Sequence, residues 1–211
     1  MNTPAASPPL RSPSQIGGII LAAGASTRLG EPKQLLRIDG IPMIVRIVSQ
    51  VLESPLWPVV VVVGSSAAAV KSELARLPVL IADNPAWIEG MASSLRTGVT
   101  VLQSFSRRLN GALIALCDQP AFSTDTVTRL IHHAPVPLDD HIVASRYSGR
   151  IGAPALFSRT YFQALGGLSG DEGARHVIAA ARQAGRVIEV EMPELALDLD
   201  TPDDVARMRK R

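Results

Sequence analysis

Small residues and two cations follow the first apolar segment of the chain, in a pattern suited to binding phosphate. The segment reads Leu21-Ala22-Ala23-Gly24-Ala25-Ser26-Thr27-Arg28-Leu29-Gly30-Glu31-Pro32-Lys33. The small residues from Ala22 to Ala25 let a ligand approach the backbone, whose N–H groups can point at phosphate oxygens. Arg28 can hold a phosphate in a bidentate way, and Lys33 adds a mobile point charge. These residue types therefore indicate a phosphate-binding loop.

Two common phosphate-binding loops are excluded by the residues around Gly30. A Walker A loop requires Lys and then Ser or Thr directly after its second glycine, whereas Gly30 is followed by Glu31-Pro32-Lys33. The dinucleotide pattern G-x-G-x-x-G requires a second glycine where Ser26 stands. An oxidoreductase that uses a nicotinamide cofactor is therefore disfavoured. An ordinary strand-to-helix loop with solvated charges remains the alternative to a ligand site.

Apolar runs and turn signals predict the elements that position this loop. The predicted strands are Gly17–Ala22, Pro58–Val63, Pro78–Ile81, Ala112–Cys117, His141–Ser145, Ala155–Phe157 and Val187–Glu191. The predicted helices are Met43–Leu52, with Pro42 in its first turn, Met91–Leu102, one capped by Ser123, Arg159–Leu165, Ala174–Gln183, and a last one capped by Thr201. Asp39-Gly40 predicts a turn.

The alternation of strands and helices predicts an α/β fold. It is typical of a three-layer, doubly wound, mostly parallel sheet of the Rossmann-like kind, in which ligands bind at the carboxyl ends of the strands. The region after Pro135 is less regular and is expected to carry the site of a second substrate. With 211 residues the chain suits one domain, predicted to span residues 16–211. Residues 1–15 are rich in Pro, Ser and Ala and predict a disordered extension.

Composition excludes several classes of partner. A formal charge of +2 and an aromatic content of 4% argue against binding of nucleic acid. The apolar runs are far shorter than the ~20 residues that cross a bilayer, so no membrane partner is expected. Cys117 is the single cysteine, which rules out an intrachain disulfide and favours a cytoplasmic location. We expect Cys117 to be a buried structural thiol.

The segment from Leu21 to Lys33 resembles the signature LAAGxSxRxGxxKxL of a nucleotidyltransferase family. This family includes the molybdenum cofactor cytidylyltransferases and guanylyltransferases, with sugar-phosphate nucleotidyltransferases as relatives. Further matches follow in the family's order: Asp118-Gln119-Pro120, Gly152-Ala153-Pro154-Ala155, Gly170-Asp171-Glu172-Gly173-Ala174-Arg175 and Asp198-Leu199-Asp200-Thr201-Pro202. The resemblance implies that an acceptor phosphate attacks the α-phosphorus of a nucleoside triphosphate, with Mg²⁺ as cofactor and pyrophosphate as leaving group.

For the nucleotide, the resemblance implies two segments of contact. Lys33 and Arg28 would hold the triphosphate and stabilise the charge that develops on it, and Leu21, Ala22, Ala23 and Gly24 would contribute main-chain contacts. Gly90, Ser93 and Ser94 match the second base-facing segment, although these serines could equally begin a helix. Ala23 and Gln119 follow the pattern of relatives that use CTP rather than GTP.

For magnesium, the resemblance implies two carboxylates. Asp118, at the carboxyl end of a predicted central strand, is the first ligand, and Asp200, before Thr201-Pro202, is the second. Asp198 alternates with Asp200 and would share its face on a strand, so either of these two could be the ligand. A turn or helix-capping role remains the alternative for Asp118.

For the acceptor, the resemblance implies Arg150, Gly152 and Pro154, together with Asp171 and Arg175. A helix beginning beside Arg175 suits a phosphate, whereas Asp171 would suit a pterin ring N–H or a metal. A tight surface turn is the alternative for this segment.

The leading hypothesis is therefore transfer of CMP from CTP to molybdopterin. Nucleotidyl transfer to another phosphorylated acceptor is an alternative that keeps the same reaction. A protein that binds the finished cofactor and delivers it to a molybdenum hydroxylase apoenzyme is the alternative from a different class.

Overall fold

One mixed sheet forms the centre of the molecule. The computed structural model describes residues 15–199 and 201–208 of the 211-residue chain. Seven strands of this part belong to the central sheet, and two form a small separate hairpin. In chain order the strands are β1 (Ile16–Ala22), β2 (Arg37–Ile38), β3 (Ile41–Pro42), β4 (Val59–Val63), β5 (Leu80–Asp83), β6 (Gly111–Leu116), β7 (Ile142–Tyr147), β8 (Arg150–Ser158) and β9 (Val187–Glu191).

Helices cover both faces of this sheet. In chain order they are α1 (Met43–Leu52), α2 (Ala67–Leu74), α3 (Met91–Phe105), α4 (Thr124–His132), α5 (Phe162–Gly166), α6 (Ala174–Gln183) and α7 (Pro202–Met208). Short 3-10 turns occupy Lys33–Leu35, Trp87–Glu89, Arg159–Tyr161 and Pro193–Ala196. Within residues 15–199 and 201–208, no helix has both the length and the apolar character that crossing a membrane requires.

The sheet is mostly parallel, as predicted. Its strand order is β5-β4-β1-β6-β8-β7-β9. β1 runs parallel to β4 and β6, β4 to β5, and β7 to β9. β8 is antiparallel to both of its neighbours, β6 and β7. The fold is therefore doubly wound, with one reversed strand inside the half whose sequence pattern is irregular.

The reversal of β8 follows from the turn that precedes it. Ser148 and Gly149 join β7 to β8, and both have positive φ angles, 48° and 72°. A two-residue turn with two positive φ angles matches the right-handed twist of an antiparallel hairpin. A parallel connection would need a dozen or more residues, so these two residues can only reverse the chain.

The hydrophobic core consists of two layers, one on each face of the sheet. α1, α2 and α4 pack against alternate residues of β1 and β4, such as Ile20 and Val61. α3, α5 and α6 pack against the intervening residues, such as Ile19 and Val62. Successive side chains of a strand point to opposite faces, so both faces of these strands are buried. This arrangement of helices, sheet and helices confirms the three-layer, Rossmann-like α/β class.

Two glycines allow α3 to pack unusually close to β1. A Cβ atom at Gly17 would lie 2.6 Å from Leu102 Cδ1, and one at Gly98 would lie 2.6 Å from Ile19 Cγ2. Larger residues at either position would push α3 away from the sheet. The close packing brings the first turn of α3 alongside the end of β1.

Most predicted elements are present with small shifts. α1, α6 and β9 have the predicted bounds, Ser123 caps α4, and Thr201 shares a reciprocal pair of hydrogen bonds with Asp204 at the start of α7. β5 begins two residues later than predicted because Val79 N–H bonds back to Leu77 O, so pairing with β4 starts at Leu80.

The remaining differences concern local turns. The turn at Asp39-Gly40 is present, but it joins two short strands, β2 and β3, that were not predicted. Pro42 ends β3 with φ −58° and ψ 141°, so it precedes α1 instead of standing in its first turn. The predicted helix Arg159–Leu165 is divided into a 3-10 turn and α5. Of the predicted N-terminal extension, residues 1–14 lie outside the described residues.

Candidate active site

The loop after β1 folds back on itself around Ser26. Ser26 has a φ of 53°, and its carbonyl oxygen accepts hydrogen bonds from the N–H groups of Leu29 (3.0 Å) and Gly30 (3.2 Å). Its hydroxyl oxygen accepts a further bond from the N–H of Lys33 at 3.1 Å. These contacts close the loop into a compact turn, which returns Lys33 to the carboxyl end of β1.

The buried side chain of Gln34 holds the backbone of this loop in place. Its Nε2 donates to the carbonyl oxygens of Ala22 (2.9 Å) and Gly24 (2.8 Å), and the residue is 1% exposed. Both acceptors are carbonyls, so only the NH₂ end of the amide can face them. Gln34 was not predicted from the sequence, because a polar residue directly after Lys33 carries no periodic signal of burial.

The loop after β4 supports the same backbone from the side. The N–H of Ser65 donates to Ala23 O at 3.1 Å, and the Ser65 hydroxyl donates to Gly24 O at 3.0 Å. A Cβ atom at Gly64 would lie 2.7 Å from both Ala23 O and Trp87 Cβ. Only glycine fits between these groups, so the ends of β1 and β4 are held at a fixed distance.

Lys33 and Asp118 form an ion pair at the centre of this edge. Lys33 Nζ lies 2.6 Å from Asp118 Oδ2, and the two side chains are 20% and 15% exposed. Asp118 stands two residues after the end of β6, next to β1 in the sheet. Its other oxygen, Oδ1, is buried without a hydrogen-bond partner among the described residues. The two residues predicted from separate motifs are therefore in direct contact.

A cleft of about 690 Å³ opens on one side of this ion pair. Six of the residues predicted to bind the nucleotide line it: Leu21, Ala23, Gly24, Lys33, Gly90 and Ser94. Ala22 and Ser93 lie behind this surface and are both 2% exposed. Trp87, Ile88 and Met91 add an apolar wall. A volume of this size and a mixed apolar and polar lining suit a nucleotide-sized ligand.

A second cleft of about 400 Å³ opens on the other side. It shares Lys33, Asp118 and Asp171 with the first cleft, so the two spaces meet at the ion pair. Arg28 and Arg175 line the second cleft and supply positive charge. Arg175 stands at the beginning of the ten-residue helix α6, whose N-terminus adds a favourable dipole for an anion.

The other residues predicted to bind the acceptor occupy different positions. A Cβ atom at Gly152 would lie 3.6 Å from Tyr147 Oη and 3.7 Å from Arg175 Nε, so Gly152 borders the second cleft. Pro154 is buried, and its carbonyl oxygen accepts a hydrogen bond from the Ser145 hydroxyl at 2.7 Å. Arg150 is exposed at the start of β8.

Tyr147 connects the second cleft to the strand that carries Asp118. Its hydroxyl donates to Ala153 O at 2.8 Å and accepts from Gln119 Nε2 at 3.1 Å. Burial, followed by the negative charge of Asp198, raises the pKa of Tyr147 above its usual value. Tyr147 was not singled out in the sequence, because its partners lie on three separate segments.

The C-terminal segment reaches the same edge of the sheet. The N–H of Leu199 donates to Asp118 O at 2.8 Å, and the preceding residue, Asp198, lines the second cleft. Asp200, the other predicted metal ligand, lies outside the described residues.

These carboxylates fit a divalent cation of the kind that nucleotides carry. Groups of three or more His, Cys, Asp or Glu that could hold a metal by themselves are absent from residues 15–199 and 201–208. Magnesium commonly uses only one or two carboxylates and completes its coordination with substrate phosphates and water. The buried, unpartnered Oδ1 of Asp118 is a suitable oxygen ligand for such an ion.

Cys117, beside Asp118, has the character of a structural residue. It is 2% exposed, and burial, followed by the negative charge of Asp118, raises the pKa of its thiol. A thiol with a raised pKa is a poor nucleophile at neutral pH.

Comparison with known proteins identifies the family. Residues 18–187 match the family model described as the MobA-like NTP transferase domain. The nicotine blue oxidoreductase of Paenarthrobacter nicotinovorans is 31% identical over 92% of this chain and 96% of its own length. A probable molybdenum cofactor guanylyltransferase of Bacillus cytotoxicus is 30% identical over 54% of this chain and 55% of its own length.

A solved structure agrees with this assignment. The structure of Rv0371c from Mycobacterium tuberculosis, described as a complex with manganese, superposes with a TM-score of 0.75 and 30% sequence identity. It covers 93% of this chain and 99% of its own chain. Because the family model matches most of the chain, including the loop after β1, β6 and Asp118, the chain belongs to the nucleotidyltransferase family of MobA-like NTP transferase domains.

Proposed function

We propose that this protein transfers CMP from CTP to the terminal phosphate of molybdopterin and releases pyrophosphate. The observation that carries the proposal is the ion pair of Lys33 and Asp118 at the boundary of two clefts. A transfer between two substrates needs both of them to meet at one phosphorus atom. The larger cleft has room for the nucleotide, and the smaller one for the end of an acceptor that carries a phosphate.

Charge neutralisation on the nucleotide comes from the loop after β1. Lys33 lines both clefts and Arg28 lines the smaller one, so the two cations hold the triphosphate where the clefts meet, and the phosphates offer Lys33 an alternative to its bond with Asp118. In the transfer, an oxygen of the acceptor phosphate attacks the α-phosphorus and the bond between that phosphorus and the β-phosphate oxygen breaks. The leaving pyrophosphate keeps the bonding electrons, and the two cations stabilise the negative charge that it gains.

Asp118, with Asp198 or Asp200, would hold the Mg²⁺ that accompanies the nucleotide. That ion would supply further neutralisation of the phosphate oxygens. The manganese complex of Rv0371c, a protein of the same fold, supports a divalent cation in sites of this kind.

The acceptor phosphate is held from the second cleft. Arg175 and the N-terminus of α6 attract it, and Arg28 adds a further positive charge in the same cleft. Asp171, which lines both clefts, accepts hydrogen bonds from ring N–H groups of the pterin. The molybdopterin acceptor is supported by the resemblance of these segments to the molybdenum cofactor branch and by the similarity to the guanylyltransferase.

The test is pyrophosphate release by the purified protein with magnesium, each of the four common nucleoside triphosphates, and molybdopterin present or absent. We expect release with CTP that depends on molybdopterin. Release with CTP that depends on another phosphorylated acceptor would retain the chemistry and replace the acceptor. Tight binding of the finished dinucleotide cofactor without any release of pyrophosphate would show that the protein is instead a carrier that delivers the cofactor to a molybdenum hydroxylase apoenzyme.

A redox function has the name of one relative in its favour, since the nicotine blue oxidoreductase is 31% identical. The loop after β1 opposes it, because Ser26 occupies the place of the second glycine of a dinucleotide-binding loop. Titration with NADH and NADPH separates the two functions. Binding of either cofactor in the larger cleft, without binding of CTP, would support the redox function.

A further inference from the structure

Asn84 directly follows β5 and begins the turn that leads into α3. It is 3% exposed, and its backbone N–H donates to Val63 O, at the end of β4, at 2.8 Å. Its side-chain Oδ1 accepts a hydrogen bond from the N–H of Ala86 at 3.0 Å. Since an N–H group can only face an acceptor, this bond fixes which end of the amide points towards Ala86.

The opposite end of the amide therefore faces α3 as a donor. Asn84 Nδ2 lies 2.8 Å from Ser93 Oγ and 3.0 Å from Ser94 Oγ. An amide nitrogen carries two hydrogens and accepts none, so both serine oxygens must act as acceptors towards it. Each hydroxyl retains one hydrogen to donate elsewhere.

The two hydroxyls differ in where that hydrogen goes. The Ser93 hydroxyl donates to Gly90 O at 2.8 Å, which completes its hydrogen bonding inside the protein. Ser94 is 6% exposed and lines the larger cleft, and its hydroxyl has no protein acceptor among the described residues. The remaining hydrogen of Ser94 is thus available to a ligand in that cleft.

We propose that Asn84 is a positioning residue that makes Ser94 a hydrogen-bond donor to the base of the bound nucleotide. The site thereby selects a base that presents an acceptor atom to Ser94, and it disfavours one that presents an N–H there. This inference rests on the proposed function, because it takes the ligand of the larger cleft to be a nucleoside triphosphate. Ser94 touches the base, and Asn84 acts only through Ser94.

The first test compares Ser93, whose hydroxyl hydrogen is bonded to Gly90 O, with Ser94, whose hydroxyl hydrogen is available to a ligand in the larger cleft. Binding of each nucleoside triphosphate and of inorganic tripolyphosphate, all with magnesium, is measured by calorimetry for the wild type, Ser94→Ala and Ser93→Ala. The ratio of the affinity for the tightest nucleotide to that for tripolyphosphate reports the contribution of the base. We expect Ser94→Ala to lower this ratio by about 3- to 10-fold. Ser93→Ala should keep the ratio and lower the melting temperature.

The second test reverses the direction of the hydrogen bond. In Asn84→Asp, the second carboxylate oxygen can only accept, so the Ser94 hydroxyl must donate to it and turn its lone pairs to the cleft. The ratio of nucleotide affinity to tripolyphosphate affinity should fall by about 10-fold or more, while the affinity for tripolyphosphate stays unchanged. The preference among nucleotides should move towards a base that offers an N–H. When Ser94→Ala is already present, Asn84→Asp should have no further effect on the ratio.

The outcomes separate this inference from the proposed function. If the wild type binds no nucleotide more tightly than tripolyphosphate, the proposed function fails. If the wild type shows a base preference that Ser94→Ala leaves intact, the role of Ser94 is wrong while the proposed function stands. If Asn84→Asp still alters the preference in the absence of the Ser94 hydroxyl, Asn84 does not act through Ser94. Should Asn84→Asp fail to fold, the pair of serine variants still decides the role of Ser94.

Discussion

The two clefts are built from different parts of the chain; the larger one, which we propose for the nucleotide, is called the nucleotide side, and the smaller one, proposed for the acceptor, the acceptor side. The nucleotide side includes main-chain groups at the ends of β1 and β4. The Gln34 side chain bonds to the carbonyls of Ala22 and Gly24, and the backbone N–H of Asn84 bonds to Val63 O. The acceptor side presents exposed charged side chains such as Arg175, and the exposed Asp171 lines both clefts. Backbone contacts are rigid and sense the shape of a ligand, whereas exposed side chains can change without disturbing the core. Substitutions on the two sides should therefore affect different substrates.

Lys33→Ala should disable both sides, because Lys33 lines both clefts. We expect turnover to fall by two orders of magnitude or more, since a cation at a phosphoryl group contributes roughly that much. The melting temperature should change little. Pyrophosphate release and thermal unfolding are the measurements. Lys71→Ala is the matched control, since it breaks an exposed ion pair of the same length, 2.6 Å, with Asp83 at the end of β5. Equal loss in both variants would remove Lys33 from the mechanism.

Arg175→Ala should affect the acceptor side alone. Loss of a charged hydrogen-bond donor to phosphate should raise the KM for the acceptor by about 10-fold or more and leave nucleotide affinity unchanged. Steady-state kinetics with each substrate varied in turn measures both values. Arg182→Ala, on the same helix but paired with Glu189, is the control and should change neither. A weakened affinity for nucleotide in Arg175→Ala would show that the two sides are not separate.

Gln34→Ala should affect the nucleotide side alone. Two carbonyls of the loop would lose their donor, so we expect the nucleotide KM to rise by about 10-fold and the free energy of unfolding to fall by about 1–3 kcal/mol. Kinetics and urea denaturation measure the two effects. Gln34→Glu preserves the size of the side chain but places an acceptor against both carbonyls, so it should be at least as damaging. A nucleotide KM unchanged in both variants would contradict the role of Gln34.

Tyr147→Phe should have the smallest effect, because it removes one hydroxyl that joins Gln119 to Ala153. We expect a loss of about 0.5–1.5 kcal/mol in the free energy of unfolding at neutral pH. The folded-state pKa of Tyr147 lies above its unfolded value, so its stabilisation is present below about pH 10 and is lost as the pH rises through the folded pKa. Denaturation of both proteins from neutral to alkaline pH measures this. A difference that grows with pH would contradict the assignment.

The sequence predicted the frame of the fold for clear physical reasons. The valine run of β4 and the cap at Ser123 are local signals, because neighbouring residues determine them. The loop after β1 and Asp118 could be singled out because each belongs to a short contiguous motif, and the structure brings Lys33 of that loop into contact with Asp118.

The supports of the site could not be predicted in the same way. Gln34 bonds to carbonyls 12 and 10 residues away, and Gln119 bonds to Tyr147 across 28 residues. Such contacts exist only once the strands are paired, so no local sequence pattern predicts them. The reversal of β8 had a local cause in Ser148-Gly149, but a pair of residues with positive φ angles is not obvious from the letters alone.

The hairpin of β7 and β8 also has a consequence for how new specificities can arise. Ser148 and Gly149 are exposed, and a Cβ atom at Gly149 would meet no other atom within 4 Å. Chain inserted at this turn would extend beyond the sheet without entering either hydrophobic layer. Extra residues at this turn can therefore lengthen the hairpin of β7 and β8, which carries Tyr147 and Gly152 beside the smaller cleft, without disturbing the core.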